Sequence, residues 1–105
     1  MSDTAPTEER TPPRLDEDGI LRLGDQWVAI PDAQLPVVAL LVDRYGRLVR
    51  REALAAAYVE AGNSGREASI RSLMSRVARR VGSLGLQLHT VRGRGVILAR
   101  GGDRP

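Results

Sequence analysis

Ile70, Leu73, Val77 and Val81 recur at intervals of three and four residues, with Met74 at the edge of their stripe. That spacing commits residues 66–81 to a helix with one apolar face, which Gly82-Ser83 closes. Ser72, Ser75, Arg76 and Arg79 recur by the same intervals on the opposite face, and after Glu67 the helix contains no acid. An ordinary solvated face mixes charge signs. A face of arginines interleaved with small hydroxyls suits a polyanion instead: serines let the helix backbone approach the floor of a DNA major groove, while guanidiniums reach guanine edges or flanking phosphates. Arg71 and Arg80 flank the two faces. Arg80 has two readings, snorkelling over apolar surface or touching a phosphate. Arg66 stands at the helix start, where a cation gains nothing from the helix dipole; a phosphate neighbour accounts for it, and so does plain exposure.

The rest of the chain reads as short elements around this helix. Residues 19–23 and 26–30 are apolar-rich runs separated by Gly24-Asp25, a hairpin pattern. Leu35, Val38, Leu41 and Val42 form the stripe of a first helix over residues 33–45, widened by Val37 and Leu40. Pro36 fits only its first turn, and Gly46 ends it. A second helix runs from Arg50 or Arg51 to Tyr58 with Leu54, Ala57 and Tyr58 on one face, and residues 61–65 are a loop. Residues 86–91 and 96–99 are apolar strands flanking the tip Arg92-Gly93-Arg94-Gly95, whose glycines permit positive φ. The order strand, strand, helix, helix, helix, strand, strand defines an α+β chain. Its pattern is a winged helix-turn-helix, with three helices, a small N-terminal hairpin and a C-terminal wing hairpin.

Charge is distributed in blocks. Residues 1–18 carry six acids against Arg10 and Arg14, a net −4; residues 19–65 balance five arginines with five acids; residues 66–100 carry eight arginines against Glu67 alone, a net +7. A +7 block beside a neutral body is the asymmetry of a nucleic-acid-binding surface, although anionic membranes and acidic proteins are attracted by it too. Every basic residue is arginine. A high-GC genome accounts for that bias, so placement carries the weight. The arginine tip suits minor-groove entry or straddling of phosphates. Residues 1–18 hold Pro6, Pro12 and Pro13 and show no apolar periodicity, so they read as a disordered acidic arm able to fold back over the +7 surface; residues 101–105 read as a disordered tail, leaving 19–100 as the domain.

Several function classes are excluded on composition. With no cysteine and one histidine there is neither a disulfide nor the usual zinc site, and no cofactor is expected. The tip lacks the Gly-x-x-x-x-Gly-Lys pattern of a phosphate-binding loop. His89 lies in an alternating strand run with no nucleophile dyad beside it and reads as a surface histidine; Asp16-Glu17-Asp18 falls in the arm, without fixed geometry for two-carboxylate chemistry. An enzyme is therefore not expected. No basic n-region and no long apolar run is present, so the expectation is a cytoplasmic protein without membrane partners.

Three segments carry a specific likeness: Leu48-Val49-Arg50-Arg51-Glu52-Ala53-Leu54, Ile70 through Val81, and Thr90-Val91-Arg92-Gly93-Arg94-Gly95. Over residues 20–99 the chain resembles the C-terminal DNA-binding domain of OmpR-type response regulators, here without a receiver domain. The resemblance implies that the first segment opens helix two, the second is a recognition helix entering the major groove, and the third builds the wing. It places Ser72, Ser75, Arg76 and Arg79 on the DNA-facing side and Arg92 and Arg94 on the wing, with Arg71 and Arg66 joining the DNA-binding set. Arg71 stands where the family commonly has an acid, Leu73 where a polar residue is frequent, and Val96 where the wing aromatic is usual. Duplex DNA is the expected partner of a transcriptional regulator; a homodimer on DNA and RNA polymerase or another protein are further partners left open. The competing expectation is a winged-helix protein-interaction module, with Leu73 and Met74 widening an apolar surface.

Overall fold

The computed structural model describes residues 11–63 and 65–101 of the 105-residue chain. An N-terminal antiparallel sheet is formed by β1 (Arg14–Leu15), β2 (Ile20–Leu23) and β3 (Gln26–Ala29) in that order. Leu23 pairs with Gln26, so Gly24-Asp25 is a two-residue turn; Gly24 has φ +61° and Asp25 does not have positive φ, as in a type II′ hairpin. A single 3-10 turn, Asp32–Gln34, then leads into α1 (Leu35–Asp43), with Pro36 inside its first turn where no helix bond is lost.

Strand β1 revises the expected arm of residues 1–18. Pro13 is buried, and Arg14 and Leu15 pair with Arg22 and Leu21. The acidic triplet that read as mobile is part of a hairpin connection: Asp16 N–H donates to the Ile20 carbonyl, leaving Glu17-Asp18-Gly19 as the loop, with Gly19 at φ +78°. Asp16 Oδ1 accepts the N–H groups of Asp18 and Ile20 at 2.9 and 3.0 Å, and Oδ2 accepts from Arg22 Nε at 3.1 Å. Those bonds, the Ile20 N–H foremost, hold the Asp16 carboxyl below the usual aspartate range. Acidity here serves turn geometry. The remainder of the expected arm, residues 1–10, and residues 102–105 of the expected tail lie outside the described residues.

The other elements are β4 (Leu48–Arg50), α2 (Arg51–Glu60), α3 (Glu67–Gly82), β5 (Leu86–Val91) and β6 (Gly95–Arg100). Strand β4, which has no period long enough to read from sequence, pairs with β6 and makes the wing a three-stranded sheet in the order β4-β6-β5. Between the two sheets α1 packs on α2 and α3 packs on β5. One core joins all of these, with Leu21, Val38, Leu41, Val49, Leu54, Leu73, Val77, Val81 and Leu98 buried together. On α3 the buried residues are Leu73, Val77 and Val81, with Ile70 and Met74 packed at the margin. This is the stripe its spacing predicts. Arg79 and Arg80 stand in the last turn of α3, where the negative end of the helix dipole favours cations. The architecture is a winged helix-turn-helix, preceded by a three-stranded sheet rather than a two-stranded hairpin.

Candidate nucleic-acid interface

Helix α3 presents its outer face to solvent. Ser72, Ser75, Arg76 and Arg79 are all exposed, opposite Leu73, Val77 and Val81, and Arg76 Nη2 donates to Ser72 Oγ at 3.2 Å one turn away. The helix starts with Arg66 at its N-cap, whose carbonyl accepts from the Ile70 N–H at 3.0 Å. Arg66 and Arg71 are exposed as well.

The wing tip is a three-residue loop, Arg92-Gly93-Arg94, between paired Val91 and Gly95. Arg94 N–H donates to the Val91 carbonyl at 2.9 Å and Gly93 has φ +75°, the geometry of a type II turn with glycine in its third position. Both arginines are exposed on either side of Gly93. Gly95, expected as a second positive-φ residue, has another reason to be glycine: a Cβ there would overlap the Val49 carbonyl oxygen and crowd Arg50 Cα. Beside that close approach, Arg51 N–H donates to the Arg94 carbonyl at 3.1 Å. The wing base is therefore fastened to the first residue of α2, which fixes the tip relative to the helices.

Between α2, α3 and the wing lies an open groove of about 1160 Å³. Arg51, Arg71 and Arg92 contribute to its wall together with Glu52 and Glu67, and Ile70, Met74 and Val91 supply apolar surface. Arg71 and Arg92 are thus brought together, whereas Arg66 and Arg94 do not line this groove. Arg51 is the residue that sequence reasoning missed; it stands in the Leu48 to Leu54 run, but only the pairing of β4 with β6 turns the start of α2 toward the wing. Arg51 Nη2 meets Glu67 Oε2 at 3.3 Å, an exposed pair that contributes at most ~1 kcal/mol and leaves the lone acid of residues 66–100 partnered.

Three other expectations change. Leu73 is 1% exposed, so it belongs to the core and cannot widen an apolar docking surface; Met74 is partly buried in the groove wall. The departure at Leu73 thus falls on packing. His89 is half-buried on β5 with its Nε2 enclosed and unpaired, so it is not a surface histidine. Arg80 Nη1 approaches the Ala29 carbonyl of β3 at 3.5 Å, tying α3 loosely to the N-terminal sheet. Among the described residues no group of three His, Cys, Asp or Glu side chains is placed to hold a metal, and no helix is long and apolar enough to cross a membrane.

The fold places the chain in the class of winged helix-turn-helix domains. Solved structures that share this fold include three domains of regulators. The C-terminal domain of the nisin resistance regulator NsrR, a lantibiotic response regulator, superposes with a TM-score of 0.70 at 22% identity, covering 84% of this chain and 91% of that one. The DNA binding domain of the response regulator AdeR, in complex with an intercistronic region, gives 0.65 at 16% identity over 86% and 95% of the two chains. The Klebsiella pneumoniae RstA DNA-binding domain, in complex with the RstA box, gives 0.64 at 22% identity over 85% and 92%. No family model matches the sequence, and no curated protein does either.

Proposed function

We propose that this chain binds double-stranded DNA as part of a transcriptional regulator, with α3 in the major groove and the wing on the adjacent groove or its phosphates. The observation that carries this is the outer face of α3: Ser72, Ser75, Arg76 and Arg79 are exposed on one side of a rigid helix that contains no acid after Glu67. Arg71 and Arg92 share one groove on its wing flank with Arg51, while Arg66 and Arg94 extend the positive surface at the helix start and the turn. The AdeR and RstA neighbours, which share the fold, were solved in complex with an intercistronic region and an RstA box.

A long basic helix face read by phosphates and base edges gives binding that falls steeply with salt. In the Arg76→Ala, Arg79→Ala double variant, duplex affinity drops about 10- to 100-fold and the salt slope flattens, while the unfolding midpoint falls only slightly with the loss of Arg79 from the last helical turn. Unaltered duplex affinity in that variant would falsify the helix-three mode. The same proposal extends to a homodimer on DNA, to a protein partner such as RNA polymerase and to a cytoplasmic setting. Selection from random duplexes tests the dimer: paired half-sites about one helical turn apart support it, and single sites refute it.

A further inference from the structure

On the opposite flank of α3 from the wing lies a separate cleft of about 360 Å³, lined by Val28 of β3, Gln34 of the 3-10 turn, and Arg76, Arg79, Arg80 and Ser83. Three of these residues are arginines and none is an acid. Gln34 is 4% exposed, yet its Oε1 has no hydrogen-bond partner. A buried polar atom left unpaired is destabilising, so a glutamine at this position is a poor choice for packing alone. Arg80 is half-buried, and its approach to the Ala29 carbonyl, at 3.5 Å, is at the long limit of a hydrogen bond. Nor does the core need these groups, since Leu73, Val77 and Val81 already complete the buried face of α3.

We infer that this cleft seats a phosphate group. Guanidinium forks match phosphate oxygens in pairs, and a concave site with no carboxylate on its wall does not repel an anion. The Gln34 carboxamide serves either form of the ligand. Its Oε1 is enclosed in the free chain, and turning the carboxamide toward the cleft lets it accept from a protonated oxygen of a phosphate monoester or donate N–H to a diester oxygen. Two sources share that chemistry, the DNA backbone and a free phosphate-bearing small molecule. The first rests on the DNA-binding reading above. A helix in the major groove has a phosphate backbone on each side; Arg51, Arg71 and Arg92 line the wing flank, and this cleft provides for the other. The second source does not depend on DNA binding.

The test uses the full chain, isotope-labelled, titrated with inorganic phosphate and with chloride at matched ionic strength, reading the Gln34 side-chain amide and Arg80 Nε–H signals. In parallel, duplex affinity is measured against salt for the wild type, Arg80→Gln and Gln34→Leu. Phosphate but not chloride shifts the Gln34 amide, and Arg80→Gln abolishes the shift. Where the duplex supplies the group, Arg80→Gln also lowers the salt slope by about 0.9, the value of one phosphate contact. A phosphate-specific shift with an unaltered slope identifies a free phosphate compound as the ligand. Gln34→Leu keeps or raises the unfolding midpoint while weakening phosphate binding; should it fail to fold, Arg80→Gln still decides. No phosphate-specific shift together with an unaltered slope overturns the inference. A wild type that binds no duplex, but whose cleft responds to phosphate, sinks the DNA reading and leaves the cleft standing.

Discussion

The β1–β2 and β5–β6 hairpins both use a three-residue loop containing one left-handed glycine, yet they dispose of their charges in opposite ways. In the first, Asp16 turns inward on its own loop, accepting from two backbone N–H groups and from Arg22. In the second, the turn is closed by the backbone bond from Arg94 to Val91, and the side chains of Arg92 and Arg94 stand exposed. A charge consumed in closing a turn is structural, whereas a charge left over after the backbone has closed it is available to a ligand. The anchoring differs in the same sense. The wing is held at its base by the close approach of Gly95 to β4 and by the bond from Arg51 N–H at the start of α2 to the Arg94 carbonyl, which fixes its arginines relative to the helices.

The comparison is broken most severely at Gly95. Gly95→Ala forces a Cβ into the Val49 carbonyl, and urea unfolding should register a loss of about 3 kcal/mol, with β6 parting from β4. Retained stability would mean that the wing base is adaptable. Next in size, replacing Arg92 and Arg94 together by alanine leaves the unfolding midpoint alone but weakens duplex binding by about 2 kcal/mol, measured by titration at fixed salt. A midpoint that moves as far as the affinity would show the tip to be structural after all. Gly93→Ala places a Cβ at φ +75° and lowers stability by ~1 kcal/mol, read from the thermal midpoint.

The smallest effect belongs to the other hairpin. Asp16→Asn removes the ion pair with Arg22 and retains an acceptor for the Asp18 and Ile20 N–H groups, so the midpoint falls slightly and duplex affinity is unaltered. The sign with pH follows from the lowered carboxyl. The wild-type stabilisation by Asp16 is present above the ordinary aspartate range and is lost as pH falls through its depressed folded value, so the gap between wild type and Asp16→Asn closes in acid. A gap that persists unchanged in acid argues against ionised Asp16 as its source.

Legibility followed the range of the interactions. The face of α3 was readable because a helix repeats every three or four residues, and its apolar and basic positions differ in kind. The Gly24-Asp25 turn was readable because its residues state a local backbone geometry. Strand β4 was not, since three residues carry no period and their partner lies in β6, nearly fifty positions away. The acidic triplet misled for a related reason. Composition suggested an arm, but whether Asp16 meets solvent or the N–H groups of Asp18 and Ile20 depends on β1 pairing with β2.

From sequence alone came the helix period, the one-sided charge of residues 66–100 and the glycine-permitted tip, all properties of neighbours along the chain. Tertiary structure decided that Gly95 is needed for close approach rather than for φ, and that Arg51 joins Arg71 and Arg92 in one groove. It also put Gln34, whose Oε1 is unpaired, in one cleft with Arg76, Arg79 and Arg80. The physical reason is common to these. A local pattern sets which side of an element a residue occupies, but the other wall of a groove or cleft comes from a distant segment, and only packing brings the two together.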